Sequence, residues 1–276
     1  MTGTLILCAT PIGNLDDVSQ RVADALGSAD VVYAEDTRRT AKLLNHLGLS
    51  RPMTSFFVGN EAARLDDLTR DLAEGKIVAL VTDAGMPVIS DPGATAVAAA
   101  VAAGASVTAV PGPSAVTLAL SLSGFGADRF VFAGFLPRKG GVRAEAIESI
   151  AKDERTTVFF AAPSRIGADL ADLRAATAPG RRVAVCRELT KMHEEIYRAT
   201  VAEAADEFAD DTRARGEFTV VVEGAEPESP DFDAAVAAAQ ALIAEGMSTK
   251  DATSDAAAAF RVSRRVLYEA VLRSRP

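Results

Sequence analysis

The sequence predicts an α/β protein, because strand-like apolar runs alternate with amphipathic helical segments and several of those runs end in glycine- and proline-bearing loops. The clearest case is residues 77–93, where Ile77-Val78-Ala79-Leu80-Val81 leads into Thr82-Asp83-Ala84-Gly85-Met86-Pro87 and a small-residue helix follows Pro92. Two companions are residues 10–15, after Ile6-Leu7, and residues 111–115, after Val107-Thr108-Ala109-Val110. Parallel strands present ligand-binding loops at their C-terminal ends, so three such loops in one half of the chain mark a binding cleft.

In chain order, residues 4–9 read as a short buried strand. Asp16 or Asp17 starts a helix that puts Val18, Val22, Leu26 and Ala29 on one face. Residues 31–34 are a second strand ending in the polar cluster Glu35-Asp36-Thr37-Arg38-Arg39-Thr40, and a short helix over 42–47 closes at Gly48. Residues 54–58 form a strand that runs into Gly59-Asn60-Glu61, and Leu65, Leu68 and Leu72 then mark an amphipathic helix stopping at Gly75. The central strand 77–82 is followed by a helix over 94–103, a strand over 107–110 and a helix over 114–122. Residues 1–115 thus make a unit with a mainly parallel sheet.

A second α/β unit, 116–225, has strands at 130–135, 156–161, 182–186, 196–200 and within 216–223. Helices are expected over 143–151, from Pro163 or Ser164 through Leu173, and over an acidic stretch, 201–211. Short connections and more strands than helices point to a mixed sheet. Residues 226–231 are a Pro/Glu/Ser linker. A small helical domain, 233–276, follows with helices at 233–244, 251–260 and 263–272, and carries Arg261, Arg264, Arg265, Arg273 and Arg275.

The 276 residues suffice for a large core, built mostly of small aliphatic side chains since aromatic content is 5% and tryptophan is absent. Cys8 and Cys186 sit in apolar strands, where buried reduced thiols are expected and neither a disulfide framework nor zinc spacing exists. There is no basic leader and no apolar run of membrane-spanning length, so a cytoplasmic protein with no membrane partner is expected. A net charge of -9 argues against general attraction to polyanions while leaving room for local basic surfaces such as Arg138, Lys139 and Arg143.

Neither a Gly-x-Gly-x-x-Gly fingerprint nor a Walker lysine is present, which lowers nicotinamide and P-loop chemistry. There is no Gly-x-Ser-x-Gly elbow, and His46 and His193 are too few and too scattered for a metal site or a triad. Asp83 reads as a ligand acceptor or as a cap for its own loop, and Asp91 as the cap of the following helix or a site residue. Glu35, Asp36 and Arg38 form either a site network or a solvated helix start, and Lys191 sits among Glu188, Glu194 and Glu195.

Six segments occur together in order: Thr10-Pro11-Ile12-Gly13-Asn14-Leu15, Ala34-Glu35-Asp36-Thr37-Arg38, residues 82–93, Pro111-Gly112-Pro113-Ser114-Ala115, Gly134-Phe135-Leu136-Pro137 and Arg187-Glu188-Leu189-Thr190-Lys191. This series resembles the tetrapyrrole methylase superfamily, in its ribosomal RNA-modifying branch, over residues 4–224. The resemblance implies two α/β domains with a cofactor cleft between them, plus a small C-terminal helical domain. It implies S-adenosyl-L-methionine as cofactor, no metal, and a homodimer that methylates the 2′-hydroxyl of a cytidine in the decoding region of 16S rRNA within the small ribosomal subunit. It places Pro11, Ala84, Gly85, Met86, Ile89, Ser114, Ala115, Ala161 and Leu189 around the cofactor, mostly through backbone contacts.

On the acceptor side, Asp83 and Glu188 lead, with Glu35 and Lys191 beside them, then Asp36 and Asn60; no single base stands out. Arg38, Arg138, Lys139 and Arg165 are expected to position phosphates. Where that branch carries His-Glu/Asp-His-Asn-Glu, this chain has Phe57-Val58-Gly59-Asn60-Glu61, and Phe159-Phe160-Ala161-Ala162-Pro163-Ser164-Arg165 replaces Phe-Tyr-Glu-Ser-Pro-His-Arg. Those departures bear on acid–base roles and leave the donor loops intact. Tetrapyrrole C-methylation and a non-catalytic ribosome-binding role are the alternatives. The first and last of the six motifs speak against the former, and the intact loops against the latter.

Overall fold

The computed structural model describes residues 2–210, 213, 215–227 and 231–274; Asp211, Arg275 and residues 228–230 of the expected linker lie outside the described residues. Two compact units are present, residues 1–225 and 226–276.

The first five strands are β1 (Thr4–Cys8), β2 (Val31–Ala34), β3 (Met53–Ser55), β4 (Ile77–Val81) and β5 (Ser106–Val110). All pair in parallel, in the order β3-β2-β4-β1-β5. Side chains alternate across this sheet, yet both faces are covered, which is why the sequence shows continuous apolar runs. On one face, Val22 and Leu26 of α1 (Gln20–Ser28) and Leu43 and Leu44 of α2 (Thr37–His46) share a core with Cys8, Val32, Ala34, Ala79 and Val81. On the other, Leu68 and Leu72 of α3 (Glu61–Ala73) and Ala96 and Ala100 of α4 (Ala94–Ala102) pack with Leu5, Tyr33, Val78 and Leu80.

Helix α5 (Ala115–Ser123) leads to a second sheet of β6 (Phe130–Phe135), β7 (Thr156–Ala161), β8 (Arg182–Arg187), β9 (Glu195–Thr200) and β10 (Phe218–Val222). Its order is β6-β7-β10-β8-β9; β6 and β7 run parallel and the other pairs antiparallel, giving the expected mixed sheet. One face is covered by α6 (Gly141–Lys152), α7 (Ile166–Ala176) and α8 (Val201–Glu207), whose Ile147, Leu170, Leu173 and Ala204 meet Phe159, Val183, Val185 and Val220. Against the other face, Val116, Ala119 and Leu120 of α5 pack on Val158, Ala184, Cys186 and Val221, and Ile12 and Leu189 join the same cluster. That shared apolar cluster draws the first-sheet loops to the second sheet.

Helix α2 begins at Thr37 and not at Lys42, so it takes in most of the polar cluster, and four further local expectations change. The first helix starts at Gln20 with Ser19 as its cap, and residues 15–17 form only a 3-10 turn capped by Asn14. Strand β3 ends at Ser55, because the Asn60 side chain accepts the Phe57 N–H at 2.8 Å and turns the chain out of the sheet. The acidic helix ends at Glu207. Arg143 does not belong to a phosphate-holding loop: it is buried in α6, with its guanidinium 2.8 Å from Asp169 and 2.7 Å from Asp172 of α7. A guanidinium withdrawn from water and paired in this way has no free charge to offer a phosphate.

The C-terminal unit consists of α9 (Phe232–Ala244), α10 (Thr249–Ala259) and α11 (Arg264–Arg273) around Ala235, Ala239, Ala256, Leu267 and Val271. Arg264, Arg265 and Arg273 are exposed. Among the described residues no helix is long and apolar enough to cross a membrane.

Candidate active site

Strands β1, β4 and β5 end side by side, and their loops are bonded to one another. Thr10 and Gly85 exchange backbone hydrogen bonds, Thr10 N–H to Gly85 O at 2.8 Å and Gly85 N–H to Thr10 O at 3.0 Å. The Thr10 hydroxyl donates to Thr82 O at 3.0 Å. Gly85 takes φ 83°, a conformation glycine adopts without cost. Gly13 answers a different need, since a β-carbon there would lie 2.5 Å from Lys191 Cγ and 2.9 Å from Leu189 O. The Asn14 N–H donates to Thr190 Oγ1 at 3.1 Å, so residues 10–15 lie directly against the loop that carries Leu189.

These loops and the C-terminal end of β7 enclose a cavity of about 380 Å³. Its apolar walls include Ile12, Met86, Ile89, Val116, Phe135 and Phe160. Glu35, Asp83, Asp91, Glu217 and Arg39 also border it. Glu35 Oε2 accepts the Asp83 N–H at 3.1 Å, and Asp83 Oδ1 accepts the Asp36 N–H at 3.1 Å. Arg39 lies 3.4 Å from Asp83 Oδ2. Burial raises the Glu35 pKa, the Asp83 N–H opposes that rise and the neighbouring Asp83 charge adds to it. Burial, with the Glu35 and Asp83 charges, pushes Asp91 up to about 7, while the Thr82 hydroxyl favours its charged form.

The structure brings Ala84, Gly85, Met86, Ile89, Ser114, Ala115, Ala161 and Leu189 onto this cavity, together with Glu35 and Asp83. Pro11 lies on an adjoining pocket, which Lys191, Thr82 and Asp83 also line. Glu188 lines neither. Its carboxylate accepts from Lys191 Nζ at 2.8 Å and from the Glu217 N–H at 2.8 Å. Burial pushes its pKa up, but those donors prevail and hold it below the usual value. Asp36 caps α2 and binds Arg38, which holds its pKa down, and Arg38 is 89% exposed. Asn60 shapes the loop after β3 by bonding Phe57 and Ser55. The Arg165 guanidinium donates to Arg138 O at 3.1 Å, while the Arg138 and Lys139 side chains are exposed.

Sequence reasoning gave no role to Arg39, Phe135, Phe160 or Glu217, although Arg39 stands in the polar cluster after β2 and Phe135 in one of the six motifs. Asp91 is the more telling case. The N-cap of α4 is Gly93, with no side-chain cap, and its N–H donates instead to Glu61 Oε1 at 2.7 Å. Asp91 is therefore not the helix cap; it faces the cavity. Among the described residues no group of His, Cys, Asp and Glu is placed to hold a metal ion.

The family profile of the Tetrapyrrole (Corrin/Porphyrin) Methylases matches residues 4–205. The chain is 46% identical over 277 residues to the ribosomal RNA small subunit methyltransferase I of Mycobacterium tuberculosis (strain ATCC 25618 / H37Rv), covering 99% of this chain and 96% of that protein. It is 41% identical over 270 residues to the protein of the same name from Synechocystis sp., covering 97% of this chain and 96% of the relative. Among solved structures, the methyltransferase CobJ superposes with a TM-score of 0.62 at 23% identity, over 82% of this chain and 95% of that one. The uroporphyrin-III-C-methyltransferase from Thermus thermophilus gives 0.59 at 19% identity, over 80% and 94%. At such identities the structural likeness is one of fold.

Proposed function

The chain belongs to the tetrapyrrole methylase family, among the ribosomal RNA small subunit methyltransferase I proteins, and on that premise we propose that it methylates the 2′-hydroxyl of a cytidine in the decoding region of 16S rRNA. The methyl donor is S-adenosyl-L-methionine, and the substrate is the small ribosomal subunit in the cytoplasm. The names of the relatives at 46% and 41% identity support the ribosomal reading.

The observation that carries this reading is the cavity, in which small residues and apolar walls adjoin a carboxylate-bearing edge. Its volume falls in the range of small-molecule sites. The residues fit a donor of this kind: Ala84, Gly85, Ser114 and Ala115 are small and leave room for an adenosine, and Met86, Ile89, Ala161 and Leu189 supply apolar contact. When bound, the donor supplies an electrophilic methyl group on a sulfonium. Positive charge leaves sulfur during an in-line transfer to oxygen, so the apolar walls do not oppose the step. The chain's own task is to align the acceptor hydroxyl and remove its proton. Glu35 and Asp83, bonded to one another through the Asp83 N–H, border the acceptor side.

Arg38, Arg138 and Lys139, all exposed, are assigned to rRNA phosphates, a local recognition that net charge does not forbid. A homodimer is part of the same reading. Strands β5 and β6 are sheet edges, and Val101 and Phe130 near them expose apolar surface that a second copy would cover.

The test is methyl transfer from labelled S-adenosyl-L-methionine to purified small subunits lacking the mark, with naked rRNA and a tetrapyrrole as controls and mass mapping of the product. Label on a cytidine ribose supports the reading; label on the tetrapyrrole alone, or none despite donor binding, refutes it.

A further inference from the structure

Strand β6 breaks the regular alternation of faces. Phe132 pairs with Val158 and Phe135 with Phe160, so β6 advances three residues while β7 advances two. The extra residue makes a β-bulge between Phe132 and Phe135, and Gly134 within it takes φ 63°. Unbroken pleating would carry Phe132 and Phe135 to opposite faces of the sheet. The bulge instead puts both on the face of Val158 and Phe160, which α5 and Ile12 share. The Phe135 ring centroid lies 5.5 Å from that of Phe160, and both rings border the cavity. Bulges beside active sites re-aim side chains, and the one re-aimed here is an aromatic. Its exposure sets it apart. The walls Ile12, Val116, Ala161 and Leu189 are buried, whereas Phe135 is 59% exposed and Ile89, also on the cavity, 46%. A β-carbon at Gly134 would lie 3.5 Å from Ser90 Oγ, so the bulge sits beside the loop that carries Ile89. A small ligand buries most of its surface, so the donor belongs among the buried walls. The exposed ring is left at the mouth for a larger ligand arriving from solvent.

We propose that Phe135 is the stacking platform for the acceptor nucleobase, a subsite at the cavity mouth that holds one unstacked base of the RNA. This assignment rests on the RNA methyltransferase reading above and names how that substrate is gripped. Folded RNA is read mainly through bases freed from their neighbours, and those bases stack on aromatic side chains. The platform is braced from behind: Phe160 is tilted 57° against Phe135, and Phe132 packs on Phe160 at 5.0 Å between ring centroids. A ring held in this way fixes the plane of the base, and with it the direction in which the attached ribose presents its hydroxyl. Phe135 binds and orients the acceptor and takes part in no proton transfer.

The experiment compares wild type, Phe135→Ala, Phe135→Leu and Phe135→Tyr in transfer to unmodified small subunits. It separates kcat from the KM for the subunit and measures S-adenosylhomocysteine affinity by calorimetry. Phe135→Ala and Phe135→Leu should each lose about 10–100-fold in kcat/KM, the effect of one lost base stack, while binding S-adenosylhomocysteine like wild type. Phe135→Tyr, which keeps the ring, should retain most of the wild-type kcat/KM. Wild-type kcat/KM in Phe135→Leu overturns the assignment, because apolar cover would then suffice without a ring. A loss of S-adenosylhomocysteine affinity that accounts for the whole defect also overturns it, by moving the ring to the donor. So does a Phe135→Tyr chain as impaired as Phe135→Leu. Should Phe135→Ala not fold, the leucine and tyrosine variants decide between the same outcomes. A wild-type chain that transfers no methyl group to small subunits removes the underlying reading, and the assignment with it. Wild-type transfer beside unimpaired leucine and alanine variants removes the stacking assignment alone.

Discussion

The Glu61 carboxylate at the start of α3 accepts the Gly93 N–H at the start of α4, across 2.7 Å of space and 32 residues of chain. A side chain from one helix thereby closes the N-terminus of another that has no cap of its own, and it does so two residues beyond Asp91. Removing it by Glu61→Ala should lower stability by about 1–2 kcal/mol, as expected for a charge-assisted bond to a helix terminus. Glu61→Gln should keep most of it. Urea denaturation measures both, and a loss in kcat/KM for the alanine variant alone would show that the same bond positions the loop.

The close approach at Gly13 makes a second prediction. A β-carbon there meets Lys191 Cγ, Thr190 Oγ1 and Leu189 O, all within 2.9 Å, and one of these is rigid backbone. Gly13→Ala should force the two loops apart and weaken S-adenosylhomocysteine binding about tenfold, since 1.4 kcal/mol of strain suffices for that. Calorimetry reads the affinity, and an unchanged value would show that the loop around Leu189 can yield.

Arg143 and Asp169 form an ion pair at 2.8 Å with side chains 9% and 4% exposed. The Arg143 guanidinium also donates to Pro137 O at 2.9 Å, anchoring the segment that follows Phe135. Arg143→Leu alone should cost about 3–5 kcal/mol by taking the nearer cation from a buried aspartate and leaving only Arg165 at 3.8 Å, and the double replacement Arg143→Leu with Asp169→Leu should recover much of that loss. Thermal melts of the two single variants and the double variant measure the coupling.

The raised Asp91 and Glu35 carboxyls set a pH dependence of stability. Asp91 has an ordinary pKa near 3.8 and a folded value of about 7, so the fold favours its protonated form. The stability contributed by that protonation is complete below the ordinary pKa and is lost as pH rises through about 7. Glu35 shifts in the same direction. Asp91→Asn, which stays neutral, should therefore melt above wild type at pH 8 and close to it at pH 4. Equal melting differences at both pH values would show that the carboxyl is not raised.

Most of the architecture was legible in the chain. Continuous apolar runs such as Val78–Val81, followed by Gly85 and Pro87, identify strands buried on both faces whose ends open on a loop. That residues 84–86, 89 and 114–115 line the cavity was legible for a related reason: small residues and glycines mark where backbone must be approached closely. What only the fold reveals is instructive. Asp91 before Pro92 has the spacing of a cap, and only the fold reveals that Glu61 from another helix has taken that task. Glu188, expected on the acceptor side, has its carboxylate bonded by Lys191 and the Glu217 N–H, partners that its position in the sequence does not reveal.

By itself, then, the sequence determined the order and kind of elements, the loops that face the cleft and the family, because these follow from local periodicity, turn chemistry and motif order. Only the tertiary structure decided which carboxylates are engaged, and by which donors. A carboxylate's availability depends on donors brought to it from distant parts of the chain: Gly93 to Glu61, Asp36 to Asp83, Lys191 to Glu217. No spacing along the chain encodes those partnerships, and among the described residues none of them brings a cation to Asp91 at the edge of the cavity.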